Sequence, residues 1–226
     1  MLHRLAVLLL LAACCACAPA SARAASVVLD GTTLRVQAGD GETNRLTLST
    51  GTSTIDVVLG AGGLTPSGGC WWRTGTRVRC PRPERVELAL GDGDDTLSAT
   101  YASVPLRIED GAGDDVVTGG SRDDVLVDGE GDDRLSGGGG DDLVVAGPGA
   151  DAVAGGGGAD TVDYTARTSA VVVSADGAAG DGTAGEGDDV AADVEALLGG
   201  AGDDVLVAGG ATRTLRGGPG ADALTG

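Results

Sequence analysis

The chain has 226 residues and a formal net charge of −19, with 42 glycines, no phenylalanine, two tryptophans and two tyrosines. So few aromatic side chains exclude the aromatic-rich core usual in a globular domain of this length. So acidic a chain also excludes nucleic acid as a partner, because a polyphosphate is held by basic residues.

Residues 1–24 read as a secretory signal. His3 and Arg4 give a basic start, Leu5–Ala13 is an apolar run too short to span a bilayer, and Ala22-Arg23-Ala24 fits a small-residue cleavage site. The expectation is an extracellular, secreted protein without a transmembrane segment. Leu11-Ala12-Ala13-Cys14 also resembles a bacterial lipobox, and the alternative is a lipid anchor on Cys14. Cleavage near Ala24 leaves Cys70 and Cys80, an even count in an oxidising compartment, and a disulfide is expected between them. A two-cysteine metal site is the competing reading, but the only histidine departs with the signal and zinc loses its usual ligands.

Residues 25–89 form a front segment with 6 acidic and 7 basic residues. Leu34–Val36, Arg45–Ser49, Ile55–Leu59 and Val86–Leu88 alternate apolar and polar side chains, which predicts strands with one buried face. Asp30-Gly31 predicts a hairpin turn, and residues 60–69 predict a loop. Trp71 and Trp72 adjoin Cys70; the expectation is that one ring packs on the disulfide, the alternative that the pair faces a partner. The segment as a whole predicts a β-cap over the open end of the C-terminal part of the chain.

Residues 90–226 carry 28 acidic and 6 basic residues, a net of −22. That charge opposes a compact state unless cations are bound. Six nonapeptides run without a break from Asp110 to Asp163: DGAGDDVVT, GGSRDDVLV, DGEGDDRLS, GGGGDDLVV, AGPGADAVA and GGGGADTVD. LGDGDDTLS precedes them from Leu90; GGAGDDVLV from Gly199 and GGPGADALT from Gly217 come after, and AGGATRTLR from Ala208 lacks the acid. Positions 1, 2 and 4 are mostly glycine, as needed for tight turns. Position 6 is Asp95, Asp115, Asp124, Asp133, Asp142, Asp151, Asp160, Asp204 or Asp222. Position 8 is Leu or Val in every unit, from Leu97 to Leu224, so each unit predicts a turn followed by a three-residue strand with its middle side chain inward. Regular recurrence of Val and Leu argues against a disordered acidic tail. Residues 164–198 interrupt the register; Gly185–Asp189 repeats the turn pattern there and adds Asp189 to the candidate ligands.

These nonapeptides resemble the RTX (repeats-in-toxin) calcium-binding repeat. The resemblance covers most of residues 90–226. It implies an all-β fold, a right-handed parallel β-roll in which two nonapeptides make one turn. It also implies that Ca²⁺ sits between turns n and n+2, held by position-6 carboxylates and backbone carbonyls. Energetics agree. Each unit buries one Leu or Val, contributing about 1.5–3 kcal/mol, against an ordering cost on the order of 10 kcal/mol for nine residues. Stacked carboxylates about 4.8 Å apart repel, and a divalent cation reverses that sign. Oxygen-only ligands favour Ca²⁺ over transition metals, so binding and folding are expected to be one event.

No metalloprotease H-E-x-x-H, serine-hydrolase G-x-S-x-G or EF-hand loop occurs, and the acids keep to the repeat phase. The expectation is therefore no enzyme, but a secreted calcium-binding module with a structural, cell-surface or matrix role. The alternatives are an adhesin using residues 25–89 to bind a partner, and a fragment of a secreted RTX enzyme. The chain ends one residue into a further repeat.

Overall fold

The computed structural model describes residues 25–39, 41, 43–60 and 63–226. The readings made on residues 1–24, including cleavage at Ala24 and lipidation of Cys14, lie outside the described residues. Among the described residues every regular element is a strand.

The first ten strands are β1 (Ala25–Asp30), β2 (Thr33–Gln37), β3 (Arg45–Thr50), β4 (Thr54–Leu59), β5 (Leu64–Ser67), β6 (Trp71–Thr74), β7 (Arg77–Pro81), β8 (Arg85–Asp92), β9 (Thr96–Tyr101) and β10 (Leu106–Ala112). The uninterrupted repeats add β11 (Val116–Thr118), β12 (Val125–Val127), β13 (Arg134–Gly139), β14 (Leu143–Val145), β15 (Ala152–Gly157) and β16 (Thr161–Asp163). The remainder are β17 (Val171–Ser174), β18 (Gly182–Thr183), β19 (Asp189–Val190), β20 (Ala196–Leu198), β21 (Val205–Val207), β22 (Thr214–Arg216) and β23 (Ala223–Thr225).

Alternate nonapeptides feed alternate sheets. One sheet has the order β22-β20-β16-β14-β12-β10-β8-β2-β1-β5, and the facing sheet β19-β15-β13-β11-β9-β3-β4-β7-β6. From β2 to β22 in the first, and from β3 to β19 in the second, every pairing is parallel. This is the parallel β-roll that the repeat pattern implies, with two nonapeptides per turn. Leu126 stacks on Val144 and Val144 on Val162 in one sheet, and Leu135 on Val153 in the other. The position-8 residues Leu97, Val117, Leu126, Leu135, Val144, Val153, Val162 and Leu206 are buried. Leu215 is half-buried, and Leu224 in β23 is exposed.

The turns are as tight as the glycines suggest. At position 4, Gly131 has φ 140°, and a Cβ there would collide with the carbonyl of Gly113 one turn earlier. At position 2, a Cβ on Gly129 would strike the carbonyl of Gly111.

The front segment is the beginning of the same roll. The composition break between residues 89 and 90 falls inside β8, which pairs with β2 on one side and β10 on the other. The composition break is therefore not a break in the sheet. The two sheets finish in antiparallel hairpins, β1–β2 in one and β3–β4–β7–β6 in the other. The first hairpin turns at Gly31-Thr32, one residue later than expected, because Asp30 still pairs with Thr33. The expected loop at 60–69 contains β5, which pairs in parallel with β1 despite Pro66; an edge strand tolerates a missing N–H. Cys70 and Cys80 form the expected disulfide. Trp71 and Trp72 lie on the edge strand β6 at 43% and 46% exposure.

The interruption at 164–198 is a detour. β17 and β18 form an antiparallel pair, and β17 stacks in parallel with β21 and thence β23 in a third sheet. The chain then returns, β19 pairing with β15 and β20 with β16. Asp181 ties the detour down, accepting from the Ser174 N–H at 2.6 Å and the Val190 N–H at 3.0 Å.

Candidate metal centre

The roll stacks its position-6 carboxylates in two rows, one in the turns entering each sheet. In one row Asp95, Asp115, Asp133 and Asp151 succeed each other; in the other Asp124, Asp142 and Asp160. Each is nearly fully buried. The linkage is uniform: Oδ1 of one aspartate accepts from the backbone N–H of the aspartate one turn earlier. Asp124 N–H donates to Asp142 at 2.8 Å, and Asp142 N–H to Asp160 at 2.9 Å. Asp142 therefore lies between Asp124 and Asp160, as the n to n+2 geometry requires.

The other oxygen separates two kinds of position. Oδ2 of Asp115, Asp133, Asp142, Asp151 and Asp160 is buried without a hydrogen-bond partner. In every one of these five, the preceding turn also carries a position-6 aspartate. Where the preceding turn lacks a carboxylate, the protein fills the need itself. Asp95 Oδ2 accepts from the Asn44 side-chain amide at 3.3 Å, Asp124 Oδ2 from the Gly120 N–H at 2.6 Å, and Asp204 Oδ2 from the Gly200 N–H at 2.8 Å. The residues stacked before them are Asn44, Leu106 and Val171.

A buried carboxylate oxygen with no donor costs free energy unless a cation or proton meets it. Beside two of them the space is kept open by glycine: a Cβ on Gly137 would collide with Asp142 Oδ2, and one on Gly155 with Asp160 Oδ2. Orphaned carboxylate oxygens, backbone carbonyls and a glycine-lined space form a hard, all-oxygen donor set, which fits Ca²⁺. Position-6 carboxylates and turn carbonyls would hold it, neutralising the repulsion between stacked aspartates.

Electrostatics without a cation point the same way. Burial pushes Asp95, Asp115 and Asp124 up to about 6. It pushes Asp142 up to about 7, with the Asp124 and Asp160 carboxylates adding to the effect. Burial also raises Asp151 and Asp160.

Asp204 is buried and Asp222 half-buried in the third sheet, linked by the Asp204 N–H to Asp222 Oδ1 at 3.0 Å. Asp189 does not hold a position-6 place in the row. It pairs with Ala152, a position-7 residue, so the row continues through Asp188, which accepts from the Asp151 N–H at 3.2 Å and is completely buried. The reason is apolar: Val190 must stack on Val153, which puts Asp188 and not Asp189 two residues before the inward side chain. The Tyr164 hydroxyl donates to Asp188 Oδ2 at 2.9 Å and occupies that level. Glu195 extends the other row, accepting from the Asp160 N–H at 2.8 Å. Asp110 and Asp128, at position 1, were not among the expected ligands either; both are buried beside Asp133. Position-5 acids, by contrast, are exposed; Asp141 accepts only from the Ala159 N–H of the next turn at 2.9 Å.

A two-sheet parallel roll with inward carboxylates stacked between its turns defines the class: a cation-binding β-solenoid. Four copies of the family model for the RTX calcium-binding nonapeptide repeat match, at residues 109–144, 118–153, 127–162 and 193–224. Residues 109–162 and 193–224 are thus RTX calcium-binding nonapeptides. No curated protein and no solved structure matches the chain.

Proposed function

We propose that this chain is a secreted calcium-binding β-roll whose folding is coupled to Ca²⁺, serving a structural role at a cell surface or in an extracellular matrix rather than catalysis. The observation that carries the reading is the set of five buried, unpartnered Oδ2 atoms, each where two position-6 aspartates stack. Secretion is supported by the Cys70–Cys80 disulfide, since such bonds persist in oxidising compartments. No helix among the described residues is long and apolar enough to cross a membrane. The buried position-6 acids keep to the stacking phase of the roll and serve as metal ligands, not as catalytic groups.

The test is a Ca²⁺ titration of chelator-treated protein followed by far-UV circular dichroism. A gain of β signal saturating with calcium is expected; a spectrum indifferent to both calcium and chelator overturns the reading. Mg²⁺ should substitute poorly, because it demands near-octahedral geometry and holds its water.

One observation favours a second reading, that of an adhesin. Trp71 and Trp72 stand exposed on the edge strand β6, with Arg73 next along the chain. Loss of cell-surface or matrix binding in Trp71→Ala/Trp72→Ala, with calcium binding intact, would establish it.

A further inference from the structure

Position 1 of the nonapeptide points its side chain into the space beside the position-6 carboxylate, which is why Gly119, Gly137 and Gly155 stand there in one row. The other row breaks this rule. Its position-1 residues stack as Leu90, Asp110, Asp128 and Ala146: Asp110 lies beside Leu90 because Gly111 pairs with Gly91, and Asp128 beside Asp110 because Glu130 bridges Ala112. Two acids thus sit between an apolar residue and a methyl group, with no basic side chain in the column.

These acids meet a third. Asp110, Asp128 and Asp133 each offer a carboxylate oxygen, and the three oxygens lie within 4.8 Å of one another. Their residues are 1%, 8% and 2% exposed. Asp110 Oδ1 accepts from the Gly111 N–H and Asp128 Oδ2 from the Gly147 N–H, both at 2.8 Å. Asp128 Oδ1 and Asp133 Oδ2 have no partner. Two of the three clustered residues, from different positions of the repeat, therefore carry an unpartnered, deeply buried oxygen.

We propose that Asp110, Asp128 and Asp133 form a calcium site built from side-chain carboxylates, distinct from the remaining levels of the stack and the tightest of them. An ion central to three oxygens 4.8 Å apart lies about 2.8 Å from each, so reaching the Ca–O distance of about 2.3–2.6 Å asks for shifts of no more than a few tenths of an ångström. Calcium affinity rises with the number of charged ligands, and this level has three where Asp124/Asp142 and Asp142/Asp160 have two. The site lies near the front of the array, against Leu90 of β8. An ion bound there first pins the first repeats to the apolar front segment and gives the remaining turns a template on which to stack.

The inference rests on the calcium reading above, and one experiment separates the two. Calcium is titrated into the full chain against a chromophoric chelator, for the unsubstituted protein, Asp110→Asn/Asp128→Asn, Asp110→Gly/Asp128→Gly and Asp114→Asn/Asp132→Asn. The last pair removes the same charge from exposed position-5 residues of the same two turns. In both position-1 variants the tightest step should weaken by on the order of tenfold or more, with the weaker steps kept. The position-5 variant should keep the tightest step. Position-1 variants that titrate like the unsubstituted protein, or a position-5 variant that loses as much, overturn the proposal. So does failure of both position-1 variants to fold in saturating calcium, because glycine is the ordinary residue there and the other levels remain. An unsubstituted chain that takes up no calcium sinks the calcium reading itself.

Discussion

The front and the repeats share two continuous sheets but are held together differently. In the front, strands bury several apolar side chains each: Leu46 and Leu48 in β3 face Ile55, Val57 and Leu59 in β4, with the Cys70–Cys80 bridge alongside. Charge there is balanced. Arg79 grips Asp56 through paired hydrogen bonds at 2.5 and 2.6 Å, holding that carboxyl below its usual range. In the repeats, each strand of three residues buries one apolar side chain, and every turn of the roll adds a buried carboxylate to each row. Among the described residues the front buries no carboxylate oxygen without a hydrogen-bond partner, whereas the repeats bury six. The same backbone path therefore crosses from a core of ordinary hydrophobic burial to one that requires a counter-charge.

The largest expected effect is on this contrast directly. Hydrogen exchange of the full chain in chelator should leave the amides of β1–β4 and β7 protected and open those of β11–β16, and calcium should restore protection in the repeats only. One ion at a hundredfold excess over its dissociation constant adds about 2.7 kcal/mol, so several ions dominate the array's stability. Equal protection of both regions in chelator would erase the distinction.

Acid should do part of calcium's work. Asp142 is raised to about 7, and Asp95, Asp115 and Asp124 to about 6, mainly by burial. A carboxyl raised on folding contributes stability that is full below its unfolded value near 4 and is lost as pH rises through the folded value. Without calcium the repeats should therefore gain β signal between about pH 7 and pH 4, while calcium affinity falls over the same range as protons compete. Circular dichroism at fixed chelator concentration measures the first; a roll that melts on mild acidification would contradict it.

Within the array, Asp142→Ala should remove up to two ions and lower calcium-loaded stability by about 3–5 kcal/mol, because Asp142 borders two levels of its row. Asp141→Ala carries the same charge change but loses an exposed carboxylate and one hydrogen bond, so about 1 kcal/mol or less is expected. Calorimetric titration of both variants decides; equal losses would mean that the metal is held by a diffuse acidic surface. In the front, Cys70→Ser/Cys80→Ser should cost about 2–3 kcal/mol by urea denaturation, with the calcium isotherm unchanged.

Most of the roll was legible because its period is strict. Where the period fails, acid and apolar signals disagree, and the apolar one prevails. Gly185–Asp189 mimics the turn of a repeat and points to Asp189, but counting two residues back from the inward Val190 gives Asp188. The same count from Leu197 gives Glu195, and from Leu46 gives Asn44. A buried apolar residue fixes which way a strand faces, and the turn must comply. Asp110 and Asp128 escaped for another reason. Position 1 is a glycine place, and only the stacked geometry shows that a side chain there enters the metal's space. The fold of β5, with Pro66 among glycines, left no periodic signal at all.

The smallest expected effect tests whether the boundary between the two regions lies at Asn44. This residue holds the place of a position-6 acid in β3's turn, and its N–H donates to Asp95 Oδ1 at 2.5 Å. Its side-chain amide donates to the carbonyls of Gly39 at 3.1 Å and Leu90 at 3.4 Å, and to Asp95 Oδ2 at 3.3 Å. At this level an N–H does what an ion would do for the next. Asn44→Ala should thus cost about 1–3 kcal/mol by leaving buried acceptors unmet, equally in calcium and in chelator. Asn44→Asp replaces a donor by a second carboxylate facing Asp95, so its cost should be greater in chelator and partly recovered in calcium. Urea denaturation of both variants under both conditions measures this. A calcium-dependent cost for Asn44→Ala would place an ion at this level after all, and move the boundary one turn further into the front.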